Sequence, residues 1–440
     1  MATAVSNNAR SWTLNSTRRA LGALLRGDLN FHDSASNYAS HSVHAFAAKF
    51  PPQLPRIFIE GLTNPGETIL DPMMGSGTAI VEAFLRSRRA VGFDLDPLAL
   101  MICSVKTNPV DFLQASWAGK KVVCVAQSLT EKPSRLDDAI VRRYDTQSRE
   151  FLDYWFSKDS QRQLMALLLA IEREKADHRL DAFLKVVFSS IIITKSGGVS
   201  LAYDLAHSRP HRVDGKPPRN AITVFEQRSR KLSDLLCQLP RNGKDVLITR
   251  HDCRETLPLS PGSVQLVVTS PPYANAIDYM RAHKFSLVWF GQGIAELGEL
   301  RGQYIGAEKT AGLRADQLPQ QVQHLIVKVE HSDSKKAKVL RKYFQDMKAA
   351  IGQMYRVLEA GRACVIVVGT STMRGIDVPT QDCLAWIAEN IGFELVEIAP
   401  RKLDRDRRMM PAGFLRNRNS QIESRMHEEY VIGLVKPGRG

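Results

Sequence analysis

The chain has 440 residues, 44% of them hydrophobic and 24% charged, which is enough apolar material to offset the ordering entropy of folding and excludes global disorder. At roughly 100–200 residues per domain there is room for two or three domains, and no uninterrupted run of about 18 apolar residues offers a membrane span. Lys and Arg number 60 against 46 Asp and Glu, a formal charge of +14 that favours a polyanionic partner through phosphate neutralisation and counterion release.

Residues 1–38 are polar and Arg-containing, with a short amphipathic piece at Leu21–Leu25, and they do not read as a secretory signal. A strand is predicted at Thr68-Ile69-Leu70, followed by a Gly-rich turn, a helix through Ile80–Leu85 and a strand at Ala90-Val91-Gly92-Phe93. That is one parallel βαβ unit. From about residue 110 to 245 the pattern becomes helical, with Leu164, Leu167, Leu168 and Ile171 in one group and Leu184, Val187 and Phe188 in another. A Gly-, Pro- and Arg-rich stretch, Ser196 to Asn220, interrupts it, so the block reads as an inserted subdomain. Strands return at Val246-Leu247-Ile248-Thr249 and Val264–Val268. The polar stretch from 291 to 338 is expected to hold long loops and short helices. Phe344, Met347, Ile351, Met354 and Leu358 then fall at helical spacing, with Gly361 expected to stop that helix, and final strands are predicted at Cys364–Val368 and Tyr430–Val435.

Two segments carry chemistry. The first, Asp71-Pro72-Met73-Met74-Gly75-Ser76-Gly77-Thr78, sits between a strand and a helix, where glycines let the backbone approach a ligand. It lacks the Lys of a phosphate-binding P-loop and the third glycine of a dinucleotide fingerprint. The next strand ends Gly92-Phe93-Asp94-Leu95-Asp96-Pro97, about 20 residues on, where an acidic side chain can accept from ribose hydroxyls. Asp96, immediately before Pro97, is the stronger candidate for a helix cap. The second segment, Thr269-Ser270-Pro271-Pro272-Tyr273, follows a strand directly. Two prolines fix an extended turn and remove two amide donors, leaving the carbonyl beside them free to accept. With the Ser hydroxyl as another acceptor and Tyr273 as a flat face, these groups suit a planar ring bearing an –NH2 group. Two acceptors on its hydrogens would localise and aim a lone pair otherwise delocalised into the ring.

The pairing of these segments resembles the amino-DNA-methyltransferases. Their cofactor turn reads Asp-Pro-(aromatic or apolar)-x-Gly-Ser-Gly-Thr and their catalytic loop (Asp/Asn/Ser)-Pro-Pro-(Tyr/Phe/Trp); here Met73 stands where an aromatic is usual. The resemblance covers about residues 40–108 and 245–437. It implies an α/β, Rossmann-like S-adenosylmethionine-dependent methyltransferase fold with a mostly helical insertion. It divides the chain into an N-terminal extension (1–38), a cofactor-binding half (39–109), an inserted, candidate target-recognition subdomain (110–245) and a catalytic half (246–440). Within the segment His44 to Pro52, Lys49, Phe50 and Pro51 are expected to help hold the methionine part of S-adenosyl-L-methionine. Asp71, Pro72, Gly75, Gly77 and Thr78 would form the cofactor turn, Asp94 would take the ribose and Asp252 the adenine. Ser270, Pro271, Pro272 and Tyr273 would form the catalytic loop, with Tyr273 stacked on a base rotated out of the duplex.

In the family, Ser at the first catalytic position is more frequent among N4-cytosine enzymes and Asp is typical of N6-adenine enzymes, so cytosine N4 is the expected target. No cysteine follows a proline, which disfavours attack through a thiolate at cytosine C5. The expected partner is double-stranded DNA, contacted by Arg209, Arg212, Lys216 and Arg219 of the insertion and by a second basic stretch from Arg401 through Arg407 and Arg408. A cognate restriction endonuclease or defence-system protein would be the companion, in a bacterial cytoplasm at the nucleoid and away from membranes. The six scattered cysteines contain no Cys-x-x-Cys step, which fits a reducing compartment, and no metal-ligand spacing is seen. His251 and His283 read as structural, because a methylated amine sheds its proton without a dedicated base. Alternatives are an RNA methyltransferase of the same fold, a protein-glutamine methyltransferase, and a catalytically silent DNA-binding subunit. Asn is commoner than Ser at the first catalytic position in the RNA enzymes, and intact Gly75, Gly77, Asp94, Ser270 and Tyr273 speak against silence.

Overall fold

The computed structural model describes residues 10–46, 49–174, 177–194, 198–203, 205, 210–213, 215–240, 245–274, 278–307, 317–403 and 428–438. In chain order its strands are β1 (Thr68–Asp71), β2 (Arg89–Asp94), β3 (Ala202–Tyr203), β4 (His211–Arg212), β5 (Val246–Arg250), β6 (Val264–Thr269), β7 (Leu358–Gly369), β8 (Ser371–Met373), β9 (Ile376–Val378), β10 (Glu394–Lys402) and β11 (Glu428–Val435). β3–β4 and β8–β9 are short antiparallel pairs; the other seven form one sheet in the order β10-β11-β7-β6-β1-β2-β5. β1 is parallel to β2 and β6, and β2 to β5 and β6 to β7 run the same way. β11 is antiparallel to both neighbours.

Alternation along these strands explains why both sheet faces are covered. Leu70, Val267, Cys364, Ile366, Ile432 and Leu434 point into one core, filled by the helices Ser334–Val357 and Thr380–Ile391. Their neighbours Ile69, Leu266, Val268, Val365, Val367 and Val431 point into the other, with Leu14–Leu25, Gln53–Leu62 and Thr78–Leu85. A period of two with both faces apolar is the pattern of a doubly wound α/β sheet. A further core joins the helices of residues 112–236 to Phe84, Leu98 and Ile102 of the cofactor half and to Phe285 and Trp289 downstream of the catalytic loop. Among the described residues no helix is long and apolar enough to cross a membrane.

Two expectations are revised, and one strand is new. Gly361 does not stop a helix: the helix ends at Val357 and β7 follows at once, with Gly361 (φ 78°) inside the strand, where the β6–β7 register shifts. Its positive φ is a bulge geometry that glycine adopts without strain. The polar stretch after 291 holds the expected short helices, Ile294–Gln303 and Gln320–Glu330, but the long helix begins already at Ser334, capped by Asp333. β10 carried no strong signal, because five of its first residues are only half-buried at a sheet edge.

Strand order reverses at β1. The chain leaves it for β2 on one side, while β6 packs on the other, and ligands of such sheets lie beyond the strand ends at this switch point. The turn leaving β1 is set by Gly75 (φ 50°) and Gly77 (φ 75°). Gly77 ends the turn in a left-handed conformation before the helix Thr78–Leu85, and a Cβ there would lie 2.1 Å from Cys103 Sγ. Left-handed strain and overpacking act together, so Gly77→Ala is expected to lower the unfolding free energy by about 2–4 kcal/mol. Denaturant unfolding of the two proteins checks this; an unchanged midpoint would show that the helix Pro97–Thr107 can retreat from the turn.

Candidate active site

The carboxyl ends of β1, β2, β5 and β6 open into one cleft that is continuous with solvent. Ten of the residues singled out from sequence line it: Lys49, Phe50, Asp71, Pro72, Gly75, Thr78, Asp94, Asp252, Ser270 and Pro272. Pro51, Gly77, Pro271 and Tyr273 do not. Pro51 starts the helix Gln53–Leu62 by accepting from the Leu54 amide at 2.9 Å, and Gly77 packs on Cys103 behind the turn.

The two motifs are joined directly. Thr269, the last residue of β6, donates its hydroxyl to Asp71 Oδ1 at 2.7 Å, and both side chains are buried. Burial pushes the Asp71 carboxyl up to about 7 despite the hydrogen bonds from Thr269 and the Met73 amide. The turn is also held from β2: the Gly75 amide donates to Asp94 Oδ2 at 2.8 Å, and Asp94 Oδ1 accepts from the Asp96 amide at 2.9 Å. Burial and the neighbouring Asp96 raise the Asp94 carboxyl to about 6. From below, Lys106, 1% exposed, donates to the Ser76 carbonyl at 2.7 Å, and burial lowers its ammonium to about 7. Ser76 Oγ is buried without a partner among the described residues.

Asp96 caps the helix Pro97–Thr107 through the amides of Leu98 and Ala99, as its place before Pro97 suggests. Its second oxygen takes a further contact that the sequence did not announce, from His283 Nδ1 at 2.5 Å. Burial alone would raise the Asp96 carboxyl, but His283 and the two cap amides hold it below the usual range. Asp252 lines the cleft beside β5, with its carboxylate engaged by the amide and guanidinium of Arg254 at 2.5–3.1 Å. Lys49 donates to the carbonyls of His41 and His44 at 3.0 and 3.4 Å. Phe46, His251, Tyr279 and Tyr304 also line the cleft and were not anticipated as site residues. Phe46 lies in the segment His44 to Pro52, whereas His251, Tyr279 and Tyr304 fall outside the recognisable motifs and only the fold brings them there.

The basic residues divide. Arg209, Arg407 and Arg408 lie outside the described residues. Arg219 is exposed just before the helix Ala221–Leu236. Arg212, also exposed, sits on β4 with its guanidinium 5.0 Å from the Tyr154 ring and bonded to the Tyr154 carbonyl at 2.9 Å. Lys216 was expected to face phosphates; its ammonium instead donates to the carbonyls of Ser200 and Ala202 at 2.9 and 2.6 Å, because a turn back at Gly215 folds it under the hairpin. Arg401 is likewise buried, paired with Glu429 and bonded to the Leu29 carbonyl.

Comparison with known proteins places this geometry. A family model described as a DNA methylase matches residues 10–103, the part that holds the cofactor turn and β2. The chain is 22% identical over 375 residues to the type II methyltransferase M.MvaI of Kocuria varians, covering 80% of this chain and 81% of that one. It is 24% identical over 366 residues to M.AvaI of Nostoc sp., covering 76% and 74%. Among solved structures, a TehB-like SAM-dependent methyltransferase from Corynebacterium glutamicum aligns over 87% of this chain and 86% of its own at 11% identity, with a TM-score of 0.28, too loose to add weight. The family match across the cofactor turn, together with relatives alike over three quarters of the length, makes the chain similar to the amino-DNA-methyltransferases and supports that family for it.

Proposed function

We propose that the protein transfers a methyl group from S-adenosylmethionine to the exocyclic amine of a base rotated out of double-stranded DNA, with cytosine N4 as the target. The observation that carries this reading is that the Gly75 turn and Ser270 face one cleft, with their strand ends tied by the Thr269–Asp71 hydrogen bond. The residues fit the cofactor. The turn is so tight that a Cβ on Gly75 would press on the Phe46 ring at 3.3 Å, Asp94 stands at the β2 end, and Ser76 Oγ and His251 Nε2 have no partner among the described residues. When bound, S-adenosylmethionine supplies an electrophilic methyl on a sulfonium. The chain supplies orientation: Ser270 and the carbonyl beside the prolines accept the two amine hydrogens and aim the nitrogen lone pair into the cleft. Ser at position 270, where Asp marks adenine enzymes in the family, supports cytosine.

Reading of the DNA sequence is assigned to the insertion, residues 110–245. Arg212 and Arg219 are its candidate contacts, and its Trp155 packs 5.0 Å from Phe285 on the helix that follows the catalytic loop. The names of the relatives support a restriction–modification setting with a cognate endonuclease.

Purified protein with labelled S-adenosylmethionine is expected to label duplex DNA and not structured RNA; label in RNA alone overturns the reading. Nucleoside digestion and mass spectrometry should then return N4-methylcytosine, and N6-methyladenine would move the target to adenine. Modified-base sequencing of a host expressing the protein maps the site. Ser270→Ala should lower kcat about 100-fold or more while cofactor affinity stays about unchanged; an equal loss in both would make Ser270 a cofactor residue.

Asp94 gives a pH test. Ribose hydroxyls bind the ionised carboxylate better than the acid, and the Asp94 carboxyl sits at about 6. Affinity for S-adenosylmethionine is therefore retained above that pH and falls as pH drops through it, by at most about ten-fold per unit. Calorimetric titration between pH 7.5 and 5 (approximately) should show this fall in the wild type and a flatter profile in Asp94→Asn; parallel profiles would remove Asp94 from the binding site.

A further inference from the structure

We propose that Arg228, on the helix Ala221–Leu236 of the insertion, is a positioning residue for S-adenosylmethionine: it holds the backbone of residues 42 and 43, which leads into the cleft wall at Phe46. The inference concerns cofactor binding and stands whichever base is methylated.

Residues Ala39–Ser42 form a single 3-10 turn, and the carbonyls at its carboxyl end have no following turn to donate to them. Four consecutive carbonyls here accept from two cations instead. Lys49 Nζ donates to those of His41 and His44 at 3.0 and 3.4 Å. The Arg228 guanidinium donates to those of Ser42 and Val43 at 3.2 and 2.7 Å. One cation therefore comes from the cofactor half and the other from the block between β2 and β5. Arg228 is half-buried, its Nε donates to Ser190 Oγ at 3.1 Å, and no carboxylate among the described residues opposes the effect of burial on it. A guanidinium set against neutral acceptors alone is placed for its hydrogen bonds, not for an ion pair.

A second tie reaches the same segment. His44, 3% exposed, sets Nδ1 against the Ala45 carbonyl and Nε2 against Ser189 Oγ, each at 2.9 Å, and Ser189 Oγ meets Ser286 Oγ at 2.8 Å. Burial lowers the His44 imidazole to about 3, so the ring is neutral. A carbonyl can only accept, so Nδ1 carries the proton, Nε2 accepts from Ser189, and Ser286 donates to Ser189. Ser189 lies on the insertion helix His178–Ile192 and Ser286 on the helix Met280–Leu287. Just beyond these ties, Phe46, Lys49 and Phe50 line the cleft with Asp71, Gly75 and Asp94. Phe46 is the ring that a Cβ on Gly75 would meet at 3.3 Å. The backbone that Arg228 holds thus sets where one wall of the cofactor cleft stands. Without the guanidinium, two carbonyls in a buried segment would lose their donors, and the wall would shift to satisfy them.

The test uses the full-length protein. Arg228→Met keeps an unbranched apolar stem and removes every donor. Calorimetric titration is expected to show its Kd for S-adenosylmethionine raised about ten-fold, with Kd for duplex DNA in the absence of cofactor within about two-fold of wild type. Arg228→Lys, which restores a cation with donors, should recover part of the lost cofactor affinity. Arg228→Gln, a shorter side chain, should behave like the methionine variant and serves if that variant does not fold. Phe46→Ala should weaken cofactor binding by itself, and adding Arg228→Met to it should cost less than about two-fold, since both act through one wall. Wild-type affinity for S-adenosylmethionine in Arg228→Met or Arg228→Gln overturns the assignment. So does an undiminished further loss in the Phe46→Ala background, which would separate Arg228 from the wall. A loss confined to DNA affinity would make Arg228 a phosphate contact and overturns it equally.

Discussion

The hydrogen bond from Thr269 to Asp71 closes the central seam of this protein. It crosses from β6 to β1 where the strand order reverses, and it is buried, so no water competes for either partner. Everything that a transfer reaction needs from geometry follows from that adjacency. The turn after Asp71 and the loop after Thr269 emerge side by side, so that ligands held by them would meet in one cleft. A parallel sheet provides such a meeting point only at its switch strand pair. The insertion of well over a hundred residues between β2 and β5 leaves it intact, because the chain returns to the sheet edge beyond β2 rather than to its centre.

Much of this was legible in the sequence, and for physical reasons. Asp71 to Thr78 and Ser270 to Tyr273 are local motifs whose glycines and prolines dictate backbone shape without tertiary help, and the runs around Ile69 and Val267 can only be buried strands. What escaped was set by contacts between distant segments. Tyr279 carries no motif; it reaches the cleft beside a helix that His283 pins to Asp96. Lys216 looks from its neighbours like a phosphate ligand, yet its ammonium donates to the carbonyls of Ser200 and Ala202. Gly361 has the position of a helix stop, and only the β6 register reveals a bulge. Sequence periodicity reports which face is apolar; it does not report where a long polar side chain finds its partner.

The inserted helices are not an appendage. Their core is continuous with Phe84, Leu98 and Ile102 beneath the cofactor turn and with Phe285 and Trp289 after the catalytic loop. Phe285 touches Phe151, Trp155 and Phe156 of the insertion and lies on the same helix as His283. Rigid packing of this kind links the block proposed to read DNA to the cleft without an intervening hinge.

Cys103 sits immediately behind Gly77, on the opposite side of the turn from the cleft. A sulfur so close to an alkyl donor would be a hazard were it ionised, because the thiolate is the form that is alkylated. Burial pushes the Cys103 thiol up to about 12, with Lys106 only partly opposing it, so the sulfur stays protonated at any pH the protein meets. The packing that demands a glycine in the turn therefore also favours the protonated, less reactive form of this thiol.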